Sequence, residues 1–118
     1  MTIQEYIKVL FEVQINTQVA HWQATGEGSY AAHKALEELY LGIVDLRDSL
    51  VESSQSEKII KGYKNPMVNE NMEMIAFLEG VIEDSRSFRE SLDTDEQNIV
   101  DEIITLLKST IYKLKFLK

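Results

Sequence analysis

The chain has 118 residues, 44% of them hydrophobic and 27% charged, with a formal net charge of −8 at pH 7. This length fits one domain with one core, and the composition is ordinary for a globular protein. The acidic balance argues against nucleic-acid binding, which depends on clustered cations that neutralise phosphates. The absence of cysteine excludes disulfides, thiolate metal sites and cysteine nucleophiles, and it fits a cytoplasmic location. No apolar run is long enough for a membrane span, and neither a membrane nor a small organic substrate is expected as a partner.

The first predicted helix covers about residues 3–24. Thr2 followed by Glu5 is the pattern of a capping box, in which two side chains satisfy the free N–H groups of a first helical turn. Apolar residues then recur every three or four positions, which is the helical period. Gly26 and Gly28 end this pattern and indicate a turn.

The second predicted helix covers about residues 29–53, with Ser29 as its expected N-cap. Its apolar stripe is formed by Leu36, Leu39, Ile43, Leu46 and Leu50. A second face, well over a quarter turn away, carries His33, Glu37, Tyr40, Val44, Asp48 and Glu52. Asp48 and Glu52 are one turn apart on that face, so both carboxylates can reach a single cation.

Two more helices are predicted after a polar connection. Asn65 and Pro66 indicate the start of a third helix at about residues 66–91, because proline is favoured in a first turn. Thr94 and Gln97 indicate a capping box for a fourth helix at about residues 95–117. The connection between the second and third helices is the longest, so it either crosses the length of the bundle or forms a loose loop. No segment alternates like a strand, and residues 1–118 are therefore expected to form a single all-α domain, a four-helix bundle.

The stretch Ala20–Glu52 contains both histidines, the only tryptophan and a pair of carboxylates. A di-iron site in a bundle core would need Glu-x-x-His motifs, and neither His21 nor His33 has a glutamate three residues before it. Fifteen positions separate His33 from Asp48, which is about 22 Å along a helix, so one ion cannot bind both in one chain. A two-fold dimer could bring His21 and His33 of one chain to Asp48 and Glu52 of the other.

These residues resemble the signature of the Dps-like ferritins, also called mini-ferritins. That signature is a His-Trp pair at the end of the first helix and a glycine-containing turn, followed at fixed spacings by a second His, an Asp and a Glu. The chain has His21-Trp22, Gly26, Gly28, His33, Asp48 and Glu52 at those spacings. The resemblance implies a ferritin-like fold and a homo-oligomer built on a two-fold dimer. It also implies a ferroxidase centre at the dimer interface that oxidises Fe(II), commonly with hydrogen peroxide.

The resemblance further implies a role for each matching residue. His21, Asp48 and Glu52 would bind iron directly, and His33 would bind it or hold a bound water. Trp22 would lie beside the site, and we expect Glu37 and Tyr40 close to it as well. Mixed imidazole and carboxylate ligands suit iron, and zinc would also bind.

Other interpretations remain open. Taken singly, each candidate residue is expected to have an ordinary role in packing, capping or the solvated surface, and only their joint spacing favours a metal site. Short chains of this kind also resemble ferritin-like proteins encoded by bacteriophages. The alternative function is therefore a non-catalytic structural or assembly protein, for example a virion component, with a relic or structural metal site. A helical regulator that binds a partner helix is a weaker idea, supported only by the apolar stripes.

Overall fold

The computed structural model describes the whole chain, Met1 to Lys118. It contains four α-helices and no strand: α1 (Ile3–Gln23), α2 (Ser29–Ser54), α3 (Met74–Arg89) and α4 (Thr94–Phe116). The prediction of an all-α four-helix bundle is confirmed. None of the four helices is both long enough and apolar enough to span a membrane.

The four helices form a closed ring in which each packs against two neighbours, in the order α1, α2, α4 and α3. Tyr6, near the start of α1, stacks on Phe88, near the end of α3, with 4.6 Å between the ring centroids. His21, near the end of α1, stacks on His33, near the start of α2. Both α2 and α3 are therefore antiparallel to α1, and they run in the same direction as each other.

The connection between α2 and α3 crosses the bundle from one end to the other, because two successive helices that run in the same direction require it. Met67 of this crossover (residues 55–73) donates its backbone N–H to the Glu12 carboxylate at 3.0 Å. The Asn16 side chain donates to the Met67 carbonyl at 3.0 Å and accepts from the Asn69 N–H at 2.7 Å. Of the two possibilities left by the sequence, the connection is a crossover tied to α1 and not a loose loop.

The third helix begins at Met74 and not at Pro66, so its predicted start was wrong. Its N-cap is Glu73, whose carboxylate accepts from the Ala76 N–H at 2.7 Å. Asn65 therefore caps no helix. The crossover contains no helix, and it turns at residues 70–71 just before α3. An extended residue covers about 3.3 Å and a helical residue only about 1.5 Å, so a non-helical course lets the crossover span the bundle.

The capping predictions have mixed outcomes. The box of Thr2 and Glu5 forms, with each side chain accepting from the other residue's backbone N–H at 3.2 and 2.8 Å. The box predicted at Thr94 does not form, because the N-cap of α4 is Asp93. Gln97 instead donates its side-chain amide to a carbonyl at the end of α3.

Glycines set two local features of α2. Gly28 precedes the first turn with a left-handed φ of 77°, so it occupies the N-cap position predicted for Ser29. Gly42 lies where α2 and α4 approach closely, and a Cβ atom there would be 2.9 Å from the Leu106 side chain. Gly42 thus lets the Leu106 side chain of α4 lie directly against the backbone of α2.

Candidate metal centre

The two histidines meet within one chain. His21 is near the end of α1, His33 is near the start of α2, and the turn with Gly26 and Gly28 folds the second helix back on the first. Their rings stack with 3.6 Å between centroids and 23° between planes. Antiparallel packing of α1 and α2 thus converts a separation of twelve residues into a direct contact.

Each imidazole is held by the backbone of the other residue. His21 Nδ1 lies 2.8 Å from the His33 carbonyl oxygen, and His33 Nδ1 lies 2.9 Å from the His21 carbonyl oxygen. Because a carbonyl oxygen only accepts, each Nδ1 carries the proton and donates it. The Nε2 atom of each neutral ring then has a free lone pair, which is the form that binds a metal ion.

Glu37 is the third potential ligand. It follows His33 by one helical turn, and its Oε2 lies 3.8 Å from His21 Nε2. One nitrogen of each imidazole and one Glu37 oxygen all lie within 4.8 Å of one another. Metal–ligand bonds of about 2.1 Å put tetrahedral ligands about 3.4 Å apart, so the three groups lie in the same neighbourhood, and one of the stacked rings has to turn before both can bind the same ion. The other Glu37 oxygen is 3.6 Å from the Lys34 ammonium.

Tyr40 and Trp22 have different positions relative to the histidines. The Tyr40 ring meets His21 edge to face at 5.4 Å. His21 is only 6% exposed, whereas the neighbouring Trp22 is 67% exposed. Of the residues expected near the site, Glu37 and Tyr40 contact the histidines, and Trp22 lies on the adjacent surface.

Asp48 and Glu52 lie towards the far end of α2, and both are exposed. They line a cleft of about 440 Å³ (the Asp48 cleft), together with Ile7, Phe11, Arg47, Val51 and Tyr63. The structure therefore brings His21, His33 and Glu37 together and leaves the two acids apart from them, as the helical spacing requires. Whether a second copy supplies Asp48 and Glu52 to the histidines stays a prediction.

The Arg47 side chain forms one wall of the Asp48 cleft and is held there by contacts with α1. Its guanidinium lies 4.5 Å from the centroid of the Phe11 ring and donates to the Gln14 side chain. It is also 3.4 Å from Asp48 Oδ1. Glu52 has no ion-pair partner in the chain, so it remains available as a ligand.

A second group of acids is explained by local structure. Asp93, Asp95 and Glu96 come close together at the start of α4. The N-terminal end of a helix favours negative charge because of its free N–H groups. Glu96 also accepts a hydrogen bond from Ser54. We assign this group to the favourable electrostatic environment of a helix N-terminus and not to metal binding.

Sequence reasoning missed the contribution of Tyr63 and Arg47. Tyr63 belongs to the crossover, and no local pattern predicts that it lies beside Asp48. Arg47 directly precedes Asp48, yet its contact with Phe11 depends on the packing of α1 against α2.

Comparison with known proteins gives one result. Residues 21–114 match the model of a family of unknown function, DUF5856. The match begins at His21 and includes His33, Glu37, Asp48 and Glu52. No match is found among curated proteins or among solved structures. Because the matched region covers most of the chain, the protein belongs to the DUF5856 family.

Proposed function

We propose that two copies of this chain form Dps-like centres that bind and oxidise Fe(II), for iron sequestration or protection against peroxide. In this proposal His21, His33 and Glu37 come from one subunit, and Asp48 and Glu52 come from its partner. The observation that carries the proposal is the pair of imidazoles whose Nδ1 atoms are both occupied by carbonyl oxygens. This arrangement leaves both Nε2 lone pairs free of the chain's own hydrogen bonds, and that of His21 lies 3.8 Å from the Glu37 carboxylate.

The composition of the centre suits iron. Mixed nitrogen and oxygen ligands favour divalent ions such as Fe(II), and Zn(II) would compete for the same site. The 3.6 Å spacing of the His21 and His33 rings is close to the ~3.5–4 Å between the ions of dinuclear centres. Stacked imidazoles at this spacing could each serve one of two neighbouring ions.

A two-fold dimer supplies what a single chain lacks. Asp48 and Glu52 share a face of α2 with His33 and Glu37. An antiparallel pair of α2 helices that places His33 opposite Asp48 of the partner subunit has its centre beside Leu41. That residue is 57% exposed, and an exposed apolar side chain at the centre of an isologous contact supports this register.

The topology also supports the proposal. Among four-helix bundles, a single long crossover connection is typical of ferritin-like folds. Here residues 55–73 make that connection along α1. The crossover and the His-Trp, His, Asp and Glu spacing therefore favour the same class of protein by independent routes. The proposal includes a cytoplasmic location, or a virion if the chain is encoded by a bacteriophage.

The proposed reaction balances with peroxide as the oxidant. Two Fe(II) ions each give up one electron to one hydrogen peroxide molecule. The O–O bond breaks, two protons are taken up, and the products are two Fe(III) ions and two water molecules. The protein contributes the ligands and their orientation, and iron is the substrate.

The test is the rate of Fe(II) oxidation by peroxide, followed by the growth of ferric absorbance. We expect the Asp48→Ala/Glu52→Ala variant to be slower by about 100-fold or more, since even groups that only support metal ligands commonly matter 10–100-fold. The control is Glu83→Ala/Glu102→Ala, which removes two exposed acids of α3 and α4 and so changes the net charge equally. Equal rates for wild type and Asp48→Ala/Glu52→Ala would refute the proposal.

One observation favours a second candidate, a non-catalytic structural protein. His21, His33 and Glu37 belong to one chain, so they could hold a structural zinc ion without a partner subunit. In that case zinc would raise the melting temperature, because an ion that binds only the folded state stabilises it. Peroxide-driven oxidation of Fe(II) would then be no faster with the protein than without it.

A further inference from the structure

Two exposed features on one side of the bundle have no partner within the chain. The first is Trp22, the only tryptophan, which is 67% exposed. The second is the Asp48 cleft between α1, the end of α2 and the crossover. Tryptophan is enriched at protein–protein contact surfaces relative to the rest of the surface.

The Asp48 cleft has the shape and chemistry to receive an indole ring. Its apolar lining comes from Ile7, Phe11 and Val51, with the Tyr63 ring at one side. Its volume of about 440 Å³ is ample for a single aromatic side chain. Asp48 and Glu52 supply carboxylate oxygens at the rim, and an indole N–H can only donate.

Trp22 and the Asp48 cleft lie on the same side of the molecule. Eleven residues separate Trp22 from Phe11, which is close to three helical turns, so both project from the same side of α1. Phe11 lies next to Arg47 of α2, and His21 lies next to His33. Within each chain, then, Trp22 is level with His33, and Phe11 is level with Asp48.

We infer that Trp22 of each subunit inserts into the Asp48 cleft of a second copy of this chain. The inference rests on the proposed function for its register. If His33 faces Asp48 of the partner subunit, antiparallel pairing also brings Trp22 opposite Phe11 of the partner subunit. Two-fold symmetry makes two such contacts, one beside each metal centre. Each contact covers one exposed indole and fills one apolar cleft, and it fixes the distance between the histidines and the partner's acids.

A second copy fits the Asp48 cleft better than a small ligand does. The same surface carries the exposed side chain of Leu41 midway between the two ends of α2. A small molecule in the Asp48 cleft would leave both Leu41 and Trp22 in water. A second copy covers Leu41, Trp22 and the Asp48 cleft in one contact.

The experiment uses the metal-free full-length chain in a chelating buffer, so that bound iron cannot quench the tryptophan. Sedimentation gives the dimer dissociation constant, and the emission and acrylamide quenching of Trp22 are followed over the same concentrations. We expect emission to move to shorter wavelength and quenching to fall as the dimer forms. Trp22→Ser should raise the dissociation constant about 30-fold or more, as for a buried interface anchor.

Two further variants sharpen the test. Val51→Phe puts a larger side chain into the Asp48 cleft of the receiving subunit and obstructs it, so it should weaken the dimer while Trp22 stays accessible to acrylamide. Tyr112→Ser is the control, because it removes an exposed aromatic ring from α4 on another side of the bundle. We expect Tyr112→Ser to dimerise like wild type.

The outcomes separate this inference from the proposed function. Trp22 that stays accessible in the dimer, or a Trp22→Ser dimer of normal affinity, would overturn the insertion even if iron is oxidised. A buried Trp22 in a dimer that does not oxidise iron would support the insertion and count against the ferroxidase proposal.

Discussion

His21 and His33 hold each other in place through two reciprocal hydrogen bonds, each from an Nδ1 to the other residue's carbonyl oxygen. The His21 carbonyl belongs to the last turn of α1, where helical carbonyls lack a partner in the helix. The pair therefore closes the end of α1 onto α2 whether or not a metal is bound. Support of the fold uses the Nδ1 atoms of the two rings, and binding of an ion, as proposed above, would use their Nε2 atoms.

His33→Asn and His33→Ala should separate these two functions. The asparagine amide can replace the Nδ1 donor but has no counterpart of Nε2, so His33→Asn should keep stability and lose metal affinity. His33→Ala should also lose metal affinity. Because it leaves the His21 carbonyl without its donor, it should in addition lower the free energy of unfolding by about 1–2 kcal/mol. Urea unfolding of the metal-free proteins measures their stability, and zinc titration measures their metal affinity. An asparagine variant as unstable as the alanine variant would contradict this assignment.

Asn16→Ala should release the crossover from α1. Asn16 is 2% exposed and bonds to the backbone of both Met67 and Asn69. Its loss leaves a donor and an acceptor of the crossover without protein partners, at a cost of about 1–3 kcal/mol. Limited proteolysis should then cut the crossover faster, while circular dichroism should show an unchanged helix content. An unchanged cleavage rate would show that other contacts hold the segment.

Gly42→Ala should stabilise the protein less than Gly80→Ala does. A Cβ atom at Gly42 would displace the far end of the Leu106 side chain, and this repacking offsets part of the roughly 0.5–1 kcal/mol that alanine gains over glycine inside a helix. Gly80 lies inside α3 with nothing within 4 Å of an added Cβ, and there alanine should stabilise by about 0.5–1 kcal/mol. Thermal unfolding of the two variants measures the difference in stability. A Gly42→Ala protein stabilised as much as Gly80→Ala would show that the Leu106 side chain moves without cost.

Tyr6 should make the fold sensitive to alkali. Burial raises the pKa of Tyr6 to about 12, against a smaller opposing effect of its hydrogen bond with Ser85. Because the pKa of Tyr6 is higher in the folded state, the contribution of its neutral hydroxyl to the free energy of unfolding is complete below the ordinary pKa of 10. That contribution is lost as the pH rises from 10 through about 12.

Tyr6→Phe keeps the ring packing and removes the ionisable group, so its stability should fall less than that of wild type over this pH range. Urea unfolding of both proteins between pH 9 and the highest pH at which they fold provides the comparison. At neutral pH, Tyr6→Phe should lower the free energy of unfolding by about 0.5–1.5 kcal/mol because one hydrogen bond is lost. Parallel pH curves for the two proteins would contradict the burial of the hydroxyl.

Much of the fold follows from local patterns. The apolar stripe of α2, the glycine turn and the capping box of Thr2 with Glu5 were all predicted from residues close together in the chain. The start of α3 was predicted wrongly, because Asn65 and Pro66 are equally suited to an extended segment, and only the length of the bundle requires one. Similarly, spacing alone indicated that Glu37 and Tyr40 lie near the histidines. The orientation of the imidazole nitrogens depends on carbonyl groups twelve residues away.

The sequence by itself determined the four amphipathic helices and the separation of His33 from Asp48 along one of them, because helical period and rise are properties of the local backbone. It also determined that no single ion can bind both of these residues in one chain. Only the tertiary structure decided that His21 and His33 stack, that the crossover lies on α1 and that Tyr63 lies beside Asp48. These contacts join residues far apart in the chain, and they form because packing the apolar stripes brings whole helices together at one register.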